Sequence, residues 1–185
     1  MRRAGFAAVV LVWSAAASAA SVRFVPVIDG VDASMQDVTL VVRDLDDIPI
    51  KVVEDTVSKD KFKLDQGRYD AMLRFLALPT EPIRYVRFEV EGKGDMSVRV
   101  DLKTAPLTVA VEPALAEGCK VEVDVENSNS GHKAAMTLGQ ALALSTGSPY
   151  KARVKATCGA THLEASASFY HDAPRTVTLS PRQTP

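Results

Sequence analysis

The side chains in this sequence with chemistry to offer are three histidines, a knot of aspartates, a lysine cluster and two cysteines. His132, His162 and His171 all lie in the second half. Converging, with Met136 beside them, they would suit copper or zinc. His162 and His171, however, bracket the run Leu163 to Tyr170. A strand of that length holds its ends roughly 30 Å apart, so the two cannot share an ion within one copy of the chain. Any metal-binding reading therefore centres on His132, and it lacks a third ligand. Exposed loop histidines are the simpler expectation for all three.

The run Asp44-Leu45-Asp46-Asp47 crowds hard oxygen ligands into a loop, as calcium requires. It lacks the glycine and the spaced ligands of a calcium loop and reads better as a solvated hairpin tip. No Gly-x-Ser-x-Gly elbow occurs, and Ser145, Ser148, Ser166 and Ser168 fall in turns or on strand faces. A general-acid pair stays open, because 23 carboxylates are available. No catalytic residue, metal ligand set or cofactor is assigned.

Lys59-Asp60-Lys61-Phe62-Lys63 would touch a polyanion only weakly, since Asp60 and Asp65 offset its charge. Lysines guarding an edge strand against unwanted pairing account for it better. Trp13 lies in a leader segment, so the remaining chain has no tryptophan to stack on sugar rings. Tyr85 and Tyr170 project to outer strand faces and, with His132, are the candidate binding residues.

Cys119 and Cys158 are the only cysteines. An even count in an exported chain favours a bridge. In Cys119-Lys120-Val121-Glu122-Val123-Asp124-Val125-Glu126, Cys119 shares a face with three valines. In Tyr150 to Cys158, the second sulfur shares a face with Tyr150, Ala152, Val154 and Ala156. Period two puts both sulfurs toward one core. A bridge closing about forty residues stabilises by ~4 kcal/mol in the chain-entropy model.

The elements that must position these residues are strands. Short alternating runs separated by turn residues follow Ser21 throughout, the all-β signature. The expected strands are Ser21 to Ile28, Val38 to Leu45, Ile48 to Val57, Phe62 to Leu64 and Tyr69 to Leu78. Tyr85 to Glu91 and Met96 to Leu102 read as a hairpin across Glu91-Gly92-Lys93-Gly94-Asp95. Lys103-Thr104-Ala105-Pro106 looks like a joint. Beyond it lie Leu107 to Val111, Cys119 to Glu126, Tyr150 to Cys158, Leu163 to Tyr170 and Thr176 to Leu179. Residues 132–145, rich in Ala and Leu, fit a strand or irregular crossover better than a helix, because Gly139 interrupts them. The expectation is two small immunoglobulin-like or prealbumin-like β-sandwiches in tandem, over 21–104 and 105–185, after a signal peptide over 1–20.

The two halves read as diverged copies of one unit. Leu64-Asp65-Gln66-Gly67-Arg68-Tyr69 matches Leu144-Ser145-Thr146-Gly147-Ser148-Pro149-Tyr150 with one insertion. This passage from Leu through Gly to Tyr, leading into an alternating strand, resembles the sandwich modules called carboxypeptidase-regulatory-like, prealbumin-like or PEGA. The resemblance covers about 40 residues of each half and implies a seven-stranded accessory or adhesive module, usually without catalysis. The first half has no cysteine and the second has an added polar segment, so neither matches that pattern cleanly.

Met1-Arg2-Arg3, an apolar run from Phe6 to Trp13 and small residues from Ser14 to Ala20 follow the order of a secretory leader. The apolar run is too short for the ~20 residues that span a bilayer. Without Arg2 and Arg3 the chain holds 20 basic and 23 acidic residues, a net of −3, and nucleic acid is not an expected partner. No transmembrane segment is expected in the mature chain. Periplasmic or extracellular placement follows, with an unidentified protein or cell-surface polymer as partner and no enzymatic activity. The rival readings are a subunit or chaperone of a surface assembly that works by edge-strand pairing, and a metal-binding protein centred on His132.

Overall fold

The computed structural model describes residues 19–183 apart from 58 and 60. Most of the leader therefore lies outside the described residues, and no helix among them is long and apolar enough to cross a membrane. Everything described is strand, turn or a single 3-10 turn over Met35–Asp37.

The first half contributes β1 (Ala20–Ile28), β2 (Val31–Asp32), β3 (Val38–Asp44), β4 (Lys51–Val57), β5 (Lys61–Leu64), β6 (Gly67–Phe75), β7 (Ile83–Val90) and β8 (Asp95–Leu102). Alternation sorts their side chains. In β6, Tyr69, Ala71, Leu73 and Phe75 are buried while Arg68, Asp70, Met72 and Arg74 face outward. β1 sits inside one sheet, antiparallel to β2 and β5 and parallel to β8. The other sheet runs β4-β3-β6-β7, antiparallel throughout. Between the sheets Phe24 meets the rings of Phe62 and Phe88 edge-on at 5.9 and 5.5 Å, and Tyr69 stacks on Phe88 at 5.5 Å. Burying each such ring is worth about 2–3 kcal/mol.

The second half contributes β9 (Thr104–Val111), β10 (Lys120–Asn127), β11 (Lys133–Met136), β12 (Ala141–Ser145), β13 (Ser148–Cys158), β14 (Thr161–His171), β15 (Arg175–Leu179) and β16 (Arg182–Gln183). One sheet runs β12-β9-β15 and the other β11-β10-β13-β14-β16. A second apolar core, from Leu107 to Leu179, fills the space between them. Residues 132–145 form two short strands and a turn. Gly139, at φ 74°, takes the left-handed turn position there that a side chain resists.

Without β2 and β16, each half is seven strands paired on one plan. β9 is antiparallel to β12 and parallel to β15, as β1 is to β5 and β8. The order β11-β10-β13-β14 repeats β4-β3-β6-β7. The correspondence extends to single bonds. Tyr69 Oη donates to Asp65 O at 2.9 Å, and Tyr150 Oη donates to Ser145 O at 3.2 Å. Asp65 and Ser145 each follow the aligned leucine, and the extra residue of the second copy falls in the turn before Ser148. Tyr69 pairs with Asp44 and Phe88 across the sheet, and Tyr150 pairs with Asn127 and Phe169.

Two expectations change. β7 and β8 are not a hairpin: β7 pairs with β6 and β8 pairs with β1 in the facing sheet. Residues 91–94 arch between layers, and the apolar faces of β7 and β8 look into the core from opposite sheets. The cysteines are bonded, with Cα atoms 4.3 Å apart, but both are only half-buried, at the sandwich rim rather than inside. Cys119 precedes β10 and Cys158 ends β13, where the alternating face runs out of covering layer.

β9 begins at Thr104, with Lys103 alone between it and the end of β8 at Leu102. The division at 104 and 105 remains a proposal, with Ala20 and Thr104 assigned by their pairing to the strands they start.

Candidate functional site

The short joint brings the ends of the two sandwiches into contact through polar groups. Asp29, at the end of β1, accepts from Thr104 N at 2.7 Å and from Thr104 Oγ1 at 2.6 Å. Thr146 N donates to Lys103 O at 2.8 Å. Arg84 of β7 reaches across to Thr146 O and to Ser148 Oγ. Ser130 Oγ donates to Thr80 O at 2.9 Å. His132 Nε2 lies 3.1 Å from Glu81 Oε2 and 3.4 Å from Arg74 Nη1.

That cluster gives His132 two competing neighbours. Its Nε2 either donates to the Glu81 carboxylate or accepts from Arg74, never both at once. A guanidinium beside the same nitrogen repels a dication, and no group of three metal-binding side chains occurs among the described residues. The cluster offers a hydrogen-bonded pin between sandwiches, beside the Arg74–Glu81 ion pair of the first. Arg74 Nε, Thr80 Oγ1 and Asn127 Nδ2 are buried near this junction without a protein partner among the described residues.

The other histidines divide. His162 is exposed in β14, with Thr157 Oγ1 at 3.3 Å from its Nδ1. His171 is not a loop residue: it is fully buried at the end of β14, and its Nε2 lies 3.0 Å from Ala105 O. Its position across from Ser148 matches Val90 across from Gly67. The ring thus fills a valine's place in the repeat and packs edge-on against Tyr150 at 6.0 Å.

The aspartate knot is also spoken for. Asp46 accepts from Arg68 N through Oδ2 and from Arg68 Nε through Oδ1, both at 2.8 Å, while Asp44 Oδ1 caps Asp46 N. The Arg68 backbone N–H, then its guanidinium, hold the Asp46 carboxyl below the usual carboxylate range. In the second half Asn127 Oδ1 caps Asn129 N at 2.9 Å, the same turn without the charge. The lysine cluster lies on β5, an edge strand, with Phe62 buried between exposed Lys61 and Lys63. Lys61 pairs with Asp95 at 3.4 Å and Lys59 lies over the Phe62 ring.

Tyr85 and Tyr170 are 60% and 57% exposed, on outer faces of different sandwiches. Tyr85 stands on β7 opposite Met72, which stands opposite Val41, making an apolar stripe across the outer face. The next row holds Arg43, Asp70 and Arg87. Tyr170 lies beside the junction: a Cβ on Gly147 would sit 3.7 Å from its hydroxyl and 3.6 Å from the Arg84 guanidinium. Sequence reading missed the junction partners Arg74, Glu81, Arg84 and Thr146. One signal was present, since Arg84 shares its parity with Val86, Phe88 and Val90 and is the lone cation on that face.

The fold defines the class: a tandem all-β sandwich protein. No family's sequence profile and no curated protein matches the chain. Among solved structures it is similar to the Bacillus anthracis TIE protein, at 15% identity and a TM-score of 0.38, over 89% of this chain and 34% of that one. The chain thus spans about a third of that structure. It is also similar to a putative adhesin from Bacteroides ovatus ATCC 8483, at 9% identity and a TM-score of 0.41, over 91% of this chain and 95% of that one. A C-terminal fragment of the pilus adhesin SpaC from Lactobacillus rhamnosus GG matches at 12% identity and a TM-score of 0.31, over 90% and 98% of the two chains. Similarity this loose says nothing about what the chain binds.

Proposed function

We propose that this chain is an exported, non-enzymatic binding or structural module that engages a protein partner or cell-surface polymer through the outer face of the β4-β3-β6-β7 sheet. The observation that carries the reading is Tyr85, 60% exposed at the open side of that sheet and continued inward by Met72 and Val41. A rigid aromatic ring on a flat strand face, flanked by Arg87 and Asp70, offers both stacking area and polar anchors. The leader and the bridged cysteines support a periplasmic or extracellular setting. Seven strands per half support a prealbumin-like or PEGA-like architecture as a description of the sandwich alone.

Capture of partners from the native envelope, with wild type and Tyr85→Asp as baits, tests the reading. Tyr85→Asp is expected to lower retention of the captured partner at least tenfold, as loss of a central aromatic anchor does. Retention unchanged by Tyr85→Asp would sink it, whatever Tyr170→Asp does.

One observation favours edge-strand pairing as a second reading. The chain's own β16 lies against β14 at Leu163 and Glu164, whereas β7, the strand at the same place in the first half, pairs only with β6 among the described residues. An extended segment added there would protect β7 amides from hydrogen exchange in the complex. Unprotected β7 amides in a formed complex would exclude it.

A further inference from the structure

The contact inside the molecule has a direction. The β10–β11 tip, 128–132, leaves the second sandwich and docks on Thr80 and Glu81, at the β6–β7 connection of the first. The pairing plan gives the first sandwich the same tip, 45–50, between β3 and β4. That tip lies at the end of the molecule away from the junction, because Asp44 pairs with Tyr69 near the start of β6, whereas the β6–β7 connection that meets the second sandwich follows Phe75 at the other end. It lies away from the second sandwich, and its side chains differ from those of the docked tip. Ile48 is 98% exposed and Ile50 60%, and Val52 follows at 51%. Three neighbouring apolar side chains held in water mark an interaction surface.

The opposite end of the molecule is concave and apolar. Beyond the end of β9, a cavity of about 410 Å³ opens between Val109, Val111, Leu115, Val121 and Leu138, beside Cys119. The disulfide ties this wall to the β13–β14 turn, which corresponds in the repeat to the β6–β7 connection that receives the inner tip. One end therefore projects an apolar tip and the other presents an apolar recess next to the matching turn.

We propose that the occupant of that recess is the Ile48-Pro49-Ile50 tip of a second copy of this chain, so that copies join head to tail and continue the internal junction. The contact uses different surfaces on its two sides, so it is heterologous and grows into chains or closes into rings rather than stopping at a symmetric dimer. It is independent of what the Tyr85 face binds.

Sedimentation velocity on the full exported chain over a wide concentration range tests this, with three proteins: wild type, Ile48→Asp with Ile50→Asp at the tip, and Leu115→Asp at the recess. Wild type is expected to gain species beyond the dimer as concentration rises, and each variant alone to lose every species above monomer. An equimolar mixture of the two variants is expected to form a dimer and nothing larger, since one working tip and one working recess remain. Ala116→Glu, on an exposed loop residue of the same recess, serves if Leu115→Asp unfolds. A wild type that stays monomeric, or stops at a dimer, overturns the proposal. A mixture that stays monomeric while both variants remain folded does so too.

Discussion

The two sandwiches share a strand plan down to one tyrosine hydrogen bond, yet they are held together by different means. The first relies on rings: Phe24, Phe62, Phe75, Tyr69 and Phe88 fill its core or line it. The second is built around small residues, with Ala152, Val154, Val123 and Val125 where the first has larger ones in part, plus Tyr150, Phe169 and a buried histidine. A thinner apolar core leaves less stabilisation from burial, and the second half carries a disulfide that the first does without. Pairing order and core chemistry are thus separate layers of specification. The plan survives while the source of stability changes.

Phe24→Ala strikes the first sandwich where it depends most on rings. It removes a fully buried ring that touches two others and should cost about 4 kcal/mol. Hydrogen exchange read strand by strand should show the loss in β1 to β8 and leave β13 protected. Equal loss in both halves would mean one cooperative unit.

Next comes the bridge. Cys119→Ser with Cys158→Ser should cost about 4 kcal/mol, confined to the second sandwich, since no such link exists in the first. Denaturant melts of the oxidised and reduced protein check it, and identical midpoints would remove the bridge from the account.

The matched tyrosines sharpen the comparison further. Tyr150→Phe breaks the bonds to both Ser145 O and Ser145 Oγ in a fully buried place, for about 2 kcal/mol, whereas Tyr69→Phe breaks the one to Asp65 O, for about 1 kcal/mol. Chemical denaturation of the two variants should rank them in that order.

The smallest effect is electrostatic and belongs to the first tip alone. Arg68 depresses the Asp46 pKa, so the pair's contribution is present above the ordinary aspartate value near ~3.9 and fades as pH falls through the lower folded value. The Arg68 amide chemical shift should titrate below that value in wild type and stay flat in Asp46→Asn. The turn around Asn127 has no carboxylate of its own to respond.

Much of the fold was legible because alternation is a local signal. β6 and β13 announce their buried faces residue by residue, and the Leu-to-Tyr passage marked the repeat. What escaped was whatever depends on the partner layer. Nothing between Glu91 and Asp95 says whether the next strand pairs beside β7 or crosses the core. His171 looks like a loop residue until β14 is seen to run through it, and Cys119 looks like core until the sandwich ends there. The junction was hidden for the same reason. Arg74, Glu81 and His132 are far apart in sequence, and only the two ends meeting make them a cluster.

The parallel closure of each half is where the claim of one plan used twice stands or falls. Cross-strand proton contacts by nuclear magnetic resonance address it directly. The account predicts contacts between Val22 and Met96 in the first sandwich and between Leu107 and Arg175 in the second. Contacts linking β7 to β8 as a hairpin, or the absence of either parallel pair, would contradict it.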